Sequence, residues 1–246
     1  MTSKNTSILK RSIPAAAGLL MSASLASASI TGPDLDVSWI VDGSVNNATL
    51  IGTDLGGGIF SYFTITSEAG YMIDWEMTVN HNGGSGGYEI LSSTLGISNL
   101  GFADAAFELS ILLPTSFGSG SALYGGSIGG SITGDENGGY IGALGPDFSL
   151  WTGFVDGMQI ASMIDSPFFV ETSPFGSEAI PADAFGEPIP TLEGVAPIQS
   201  MSIEIDFILG GGDTASITST FVAQVPAPAT LALFGVAGLG RRRRRH

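Results

Sequence analysis

The side chains best placed to do chemistry in this sequence are carboxylates. Glu204 and Asp206 flank Ile205 in a run, Met201 to Phe207, that alternates apolar and polar residues as a half-buried strand does. Alternate residues of a strand share a face, so the two acids stand side by side on the same side of the sheet. Asp74 and Glu76 repeat that geometry within Tyr71 to Val79. For both pairs the plainer reading is the solvated face of an outer strand. Asp135-Glu136-Asn137-Gly138-Gly139 has the composition of a calcium loop, and Asp34 with Asp36 forms a second acidic group, so Asp135, Asn137, Asp34 and Asp36 are the candidate metal ligands. Neither group has the spacing of an EF-hand, and a solvated acidic loop is the default. Trp151, Tyr124, Tyr140 and Tyr88 lie in Gly-rich or polar surroundings where rings could stack on sugars, whereas Trp39 and Trp75 fall on apolar strand faces and read as core. With no cysteine, a nucleophile would need a serine activated by His81, which is placed in a polar turn, Asn80 to Gly84, with no Gly-x-Ser-x-Gly elbow.

The elements that must hold these residues are strands. Beyond the two runs above, strands are predicted at Leu35 to Val41, Thr49 to Gly52, Ile59 to Thr66, Tyr88 to Ser92, Ala106 to Leu113, Ala122 to Thr133, Phe148 to Phe154 and Ala215 to Val222. No segment carries a helical stripe. Short strands separated by Gly-rich turns imply an all-β fold, two antiparallel sheets packed as a β-sandwich or jelly roll, with a β-solenoid as runner-up. Between Ser166 and Gln199 prolines at 167, 174, 181, 188, 190 and 197 predict a long, acidic, extended loop.

Charge is segregated along the chain. All eight Lys and Arg lie at positions 4, 10, 11 and 241 to 245, while all 23 Asp and Glu fall between Asp34 and Asp213. The stretch between the basic ends is a polyanion, relieved only by water, backbone amides, salt or divalent cations. Nucleic acid is excluded as a partner, because phosphate contacts need Lys and Arg. Anionic membrane surfaces are disfavoured for the same reason. Nearly 200 residues can bury a core without disulfides.

The two basic ends flank apolar segments. Lys4, Lys10 and Arg11 precede Ile13 to Leu25, and Ala26-Ser27-Ala28 gives signal peptidase its small-x-small site, so residues 1–28 read as a signal peptide. At the other end Val225, Pro226, Ala227 and Pro228 lead into an apolar stretch, Ala229 to Gly240, closed by Arg241, Arg242, Arg243, Arg244 and Arg245. Twelve residues at about 1.5 Å each make a marginal span, and the arginine block acts as a cytoplasmic stop-transfer signal. This layout resembles the PEP-CTERM sorting signal, with Ala227 where that family usually has glutamate. The resemblance implies processing by an exosortase and delivery to the cell surface, outer membrane or extracellular matrix, with only transient residence in the inner membrane. Glu204-Ile205-Asp206 also resembles part of the Glu-x-Asp-x-x-Glu signature of laminarinase-like glycoside hydrolases, but Ile208 and Leu209 stand where a third carboxylate would be needed.

The sequence is therefore read as an exported β-sandwich, residues 29–224, followed by a sorting tail, residues 225–246. Its expected role is non-enzymatic, structural or polysaccharide-interacting, with calcium as the one cofactor the acids would admit. A glycan-cleaving jelly roll and an ice- or calcium-binding surface protein are the alternatives. Ice binding needs a flat, regular hydroxyl surface, and Ser216 to Thr220 is too short a run to supply one.

Overall fold

The computed structural model describes residues 32–226, apart from 83–86, 116 and 188–189. The signal-peptide residues Ala26 and Ala28, and the tail from Ala227 through Arg245, lie outside the described residues. In chain order the strands are β1 Leu35–Val41, β2 Ser44–Leu50, β3 Thr53–Gly56, β4 Ile59–Glu68, β5 Tyr71–Asn82, β6 Tyr88–Asn99, β7 Ala105–Pro114, β8 Ser121–Thr133, β9 Gly139–Gly142, β10 Ser149–Val155, β11 Met158–Asp165, β12 Phe169–Thr172, β13 Ser177–Phe185, β14 Leu192–Val195, β15 Ser200–Leu209 and β16 Thr214–Gln224. One sheet runs β11-β10-β15-β7-β1-β2, with β9 added to β15 and β12 to β9. The other runs β13-β8-β16-β6-β5-β4-β3, with β14 added to β8. The fold is all-β, two antiparallel sheets packed as a sandwich.

The alternation read from the sequence is what closes the two sheets on each other. Along β7 and β15 every second residue is buried, and the inward rings Phe107 and Phe207 stack at 5.3 Å. Trp39 of the first sheet meets Trp75 of the second at 6.0 Å, and Trp151 meets Phe221 edge-on at 5.6 Å. Each fully buried large side chain contributes about 1.5–3 kcal/mol, and no Lys or Arg ion pair can assist within the body, so apolar contact holds the layers together.

Two departures from expectation follow from local backbone chemistry. The stretch 166–199 is not one long loop: it forms β12, β13 and β14. Prolines are tolerated there because β13 is an edge strand and Pro181 falls at a register shift between Ile180 and Asp183. Second, β2 and β11 are the return strands of two-residue hairpins whose turns, Asp42-Gly43 and Asp156-Gly157, have positive φ at both positions.

Candidate functional site

Five connections gather at one end of the sandwich: the β1–β2, β4–β5, β6–β7, β8–β9 and β15–β16 turns. Asn99, the last residue of β6, ties two of them together from a buried position. Its amide nitrogen donates toward the carbonyls of Ala103, Leu209 and Gly210 at 2.8, 3.0 and 3.1 Å, and its amide oxygen accepts from Gly101 N–H at 3.0 Å. The loop 100–104 is thereby pinned with Phe102 fully exposed at its crest. Asp213 anchors the second loop. It is buried and accepts the backbone N–H groups of Asp135 at 3.2 Å and Tyr140 at 2.9 Å. Gly139 is required beside it, because a β-carbon there would stand 2.5 Å from the carboxylate.

These anchors frame a cleft of about 510 Å³ whose walls carry Phe102, Asp104, Asp135, Asn137, Tyr140 and Glu171. The Tyr140 ring packs on Phe169 at 5.2 Å. Burial, then its hydrogen bond to Asp104, pushes the Tyr140 phenol up to about 12, so it remains a donor at any working pH. Burial raises the Asp213 carboxyl, with the neighbouring Asp135 and Asp104 charges adding to it and the two amides opposing. Phe102 and Asp104 also form one wall of a second cleft, about 590 Å³, that reaches Asn46, Glu68 and Tyr71. The 100–104 loop is thus a ridge between two grooves.

Of the residues singled out from sequence, Asp135, Asn137 and Tyr140 meet in this cleft. The others do not. Trp151 and Tyr124 are fully buried, which corrects their reading as sugar-stacking surfaces. Trp151 is enclosed by Phe185 and Phe221, and Tyr124 packs on Phe221 and donates its hydroxyl to the Val195 carbonyl. Among the described residues the side chain of Tyr88 is not included. Asp34 and Asp36 are exposed, and Asp36 accepts from Thr49 Oγ1 at 2.6 Å. Asp135 accepts the Asn137 backbone N–H at 2.6 Å and its side-chain amide at 3.3 Å, and among the described residues no three His, Cys, Asp or Glu side chains are arranged around a common metal position. His81 is on β5 rather than in a turn, and it contacts the buried Glu89 across the β5–β6 pair.

Glu204 and Asp206 are half-buried on the outer face of their sheet rather than fully solvated. Asp206 pairs across the strands with Glu108. Burial, then repulsion from Glu204 and Glu108, pushes the Asp206 carboxyl up to about 7, and burial with Glu108 raises Glu204. The outer face of the other sheet carries rows of hydroxyls, with Thr220 between Ser92 and Ser127 and Thr214 between Ser98 and Thr133. Ala182 of the β13 bulge stands over Gly129, 3.6 Å from where a β-carbon would lie, so the face is a trough of about 530 Å³ and not a flat plane.

The chain runs away from the cleft toward its own tail. Strand β16 starts at Thr214 beside Asp213, and its eleven residues span roughly 35 Å before Val225 N–H donates to Gly87 O at 2.9 Å at the opposite end. Residues 224–245 match the PEP-CTERM protein-sorting motif. The PEP-CTERM tail marks the chain for export, processing by an exosortase and sorting to the cell surface or beyond. Only Gln224, Val225 and Pro226 of it are described, with Val225 packed against the core and Pro226 exposed. No curated protein matches the chain at a significant level. Asn99, Phe102, Asp104, Glu171 and Asp213 were not legible as site residues. The one local signal was Gly210-Gly211-Gly212-Asp213, a turn that brings backbone close to an acid.

Proposed function

We propose that the body is a non-catalytic polysaccharide-binding module, displayed with its cleft pointing away from the sorted end of the chain. The observation that carries this is Phe102, a fully exposed ring at the crest of a ridge between two acidic grooves. An exposed aromatic beside Tyr140, with Asn137 and carboxylates to accept sugar hydroxyls, is the chemistry by which proteins engage glycans. Grooves on both sides of the ridge suit a polymer better than a small molecule. Because the walls bear carboxylates and no cation, neutral or amine-bearing chains are favoured and anionic ones repelled.

Retention on insoluble neutral polysaccharides, measured by pull-down with the full exported protein, is the test. Phe102→Ala is expected to weaken retention several-fold with the thermal midpoint unchanged, since stacking contributes about 0.5–1.5 kcal/mol. No retention on any neutral or amine-bearing polymer would overturn the proposal. Retention lost on adding a chelator would favour the calcium reading of Asp135 and Asn137, and release of reducing ends abolished by Glu204→Gln would favour a hydrolase.

A further inference from the structure

The outer strands of the two sheets are guarded unequally. A sheet edge presents unpaired N–H and C=O groups, and proteins block such edges with charge, proline, bulges or covering segments. Strand β3 carries Asp54 and a register shift, β12 carries Glu171, β14 carries Glu193, and β13 carries Glu178, Asp183 and Pro181. Strand β11 ends in Asp165, and Asp183 of β13 accepts the Ile164 N–H at 3.4 Å. Strand β2, Ser-Val-Asn-Asn-Ala-Thr-Leu, has no charge, no proline and an unbroken register with β1. Among the described residues nothing pairs with its free edge.

The turn geometry fixes what that edge offers. Val41 and Ser44 close the Asp42-Gly43 hairpin, so Ser44, Asn46, Ala48 and Leu50 direct their backbone groups to β1, and Val45, Asn47 and Thr49 direct theirs outward. That outward set is self-complementary. In an antiparallel pair of two β2 strands, Asn47 faces the partner's Asn47 and Val45 faces the partner's Thr49, satisfying the outward donors and acceptors and placing β-branched residues side by side. Charge selects this edge for self-association. With 23 acids and no Lys or Arg in the body, two copies repel over most of their surfaces, and the stretch from Gly43 to Thr53 is free of charge.

We infer that β2 is a homodimerisation edge, joining two copies of this chain antiparallel about a two-fold axis at Asn47. The test uses residues 29–226, which contain both sheets and the whole core. Sedimentation should show a dimer whose fraction rises with protein concentration and with salt, as screening weakens repulsion between copies. The chain has no cysteine, so Asn47→Cys adds a single reporter. Facing residues of a hydrogen-bonded pair have Cα atoms about 5.5 Å apart, within disulfide reach. Asn47→Cys should cross-link under mild oxidation and Met158→Cys on β11 should not. Val45→Lys should weaken the dimer at least ten-fold with an unchanged thermal midpoint. A protein that is monomeric at every concentration and salt, a dimer that survives Val45→Lys, or equal cross-linking at Met158→Cys would each overturn the inference.

Discussion

Asn99 and Asp156 show how a body without Lys or Arg uses its polar side chains: both satisfy backbone groups. Asp156 accepts the N–H groups of Ile198, Gln199 and Ser200 at 2.7 to 3.2 Å; desolvation, the largest single influence on its carboxyl, pushes upward, and the three amides together outweigh it and hold the group below the usual range. Asn99 does the same for carbonyls beneath the cleft. Replacing Asn99 by Ala leaves those carbonyls buried without a donor, a cost of about 1–3 kcal/mol. The expected outcome is a lowered denaturant midpoint together with weaker polysaccharide retention, because the loop bearing Phe102 loses its anchor. An unchanged midpoint would show that the loop is held by other contacts.

At the scale of elements, the seam between β10, β13 and β16 separates a packing role from a binding role. Trp151 fills it, touching Phe185 at 5.7 Å and Phe221 at 5.6 Å. Trp151→Ala is expected to cost about 3–5 kcal/mol, read as a large fall in thermal midpoint, with glycan retention intact in whatever fraction stays folded. Selective loss of retention at full stability would restore Trp151 as a ligand contact. Strand assignment was clearest where one face is buried. Leu35 to Val41 alternates apart from Ile40 and is β1 with the same bounds, every second residue buried, whereas β3 and β14 carry no fully buried residue and so leave no pattern to read. Strand β11 has a single fully buried residue and no alternation to mark it, so its only sequence signal is the Asp156-Gly157 turn of its hairpin.

For the whole molecule the decisive quantity is its uncompensated negative charge. Burial is the main cause that pushes Glu89 and Asp206 each up to about 7, and it also raises Glu204 and Asp213. A carboxyl whose folded pKa exceeds its unfolded one binds more protons when folded, so its contribution is fully present below the unfolded value and lost as pH rises through the folded value. For Glu89, fully buried with one oxygen lacking a partner, the shift corresponds to on the order of 3 kcal/mol. The thermal midpoint is therefore expected to rise as pH falls from about 8 to 5, and Glu89→Gln should flatten that rise. A midpoint that falls over the same range would contradict the assignment. Asp156 and Asp165, both held low by hydrogen bonds that outweigh desolvation, act in the opposite sense only at more acid pH.

The sequence by itself determined the fold class and the sorting tail, because period-two alternation and a Pro-apolar-Arg layout are properties of neighbouring residues. It did not determine the cleft. Phe102, Asp135, Tyr140, Glu171 and Asp213 come from loops and strands spread across more than a hundred positions, and only strand order brings them together. Nor did it separate Trp151 from Tyr140: both are aromatic residues in Gly-rich surroundings, and which one is enclosed depends on the opposite sheet. The unguarded β2 edge is likewise a tertiary fact, since a neutral strand becomes an open edge only when the rest of the sheet ends beside it.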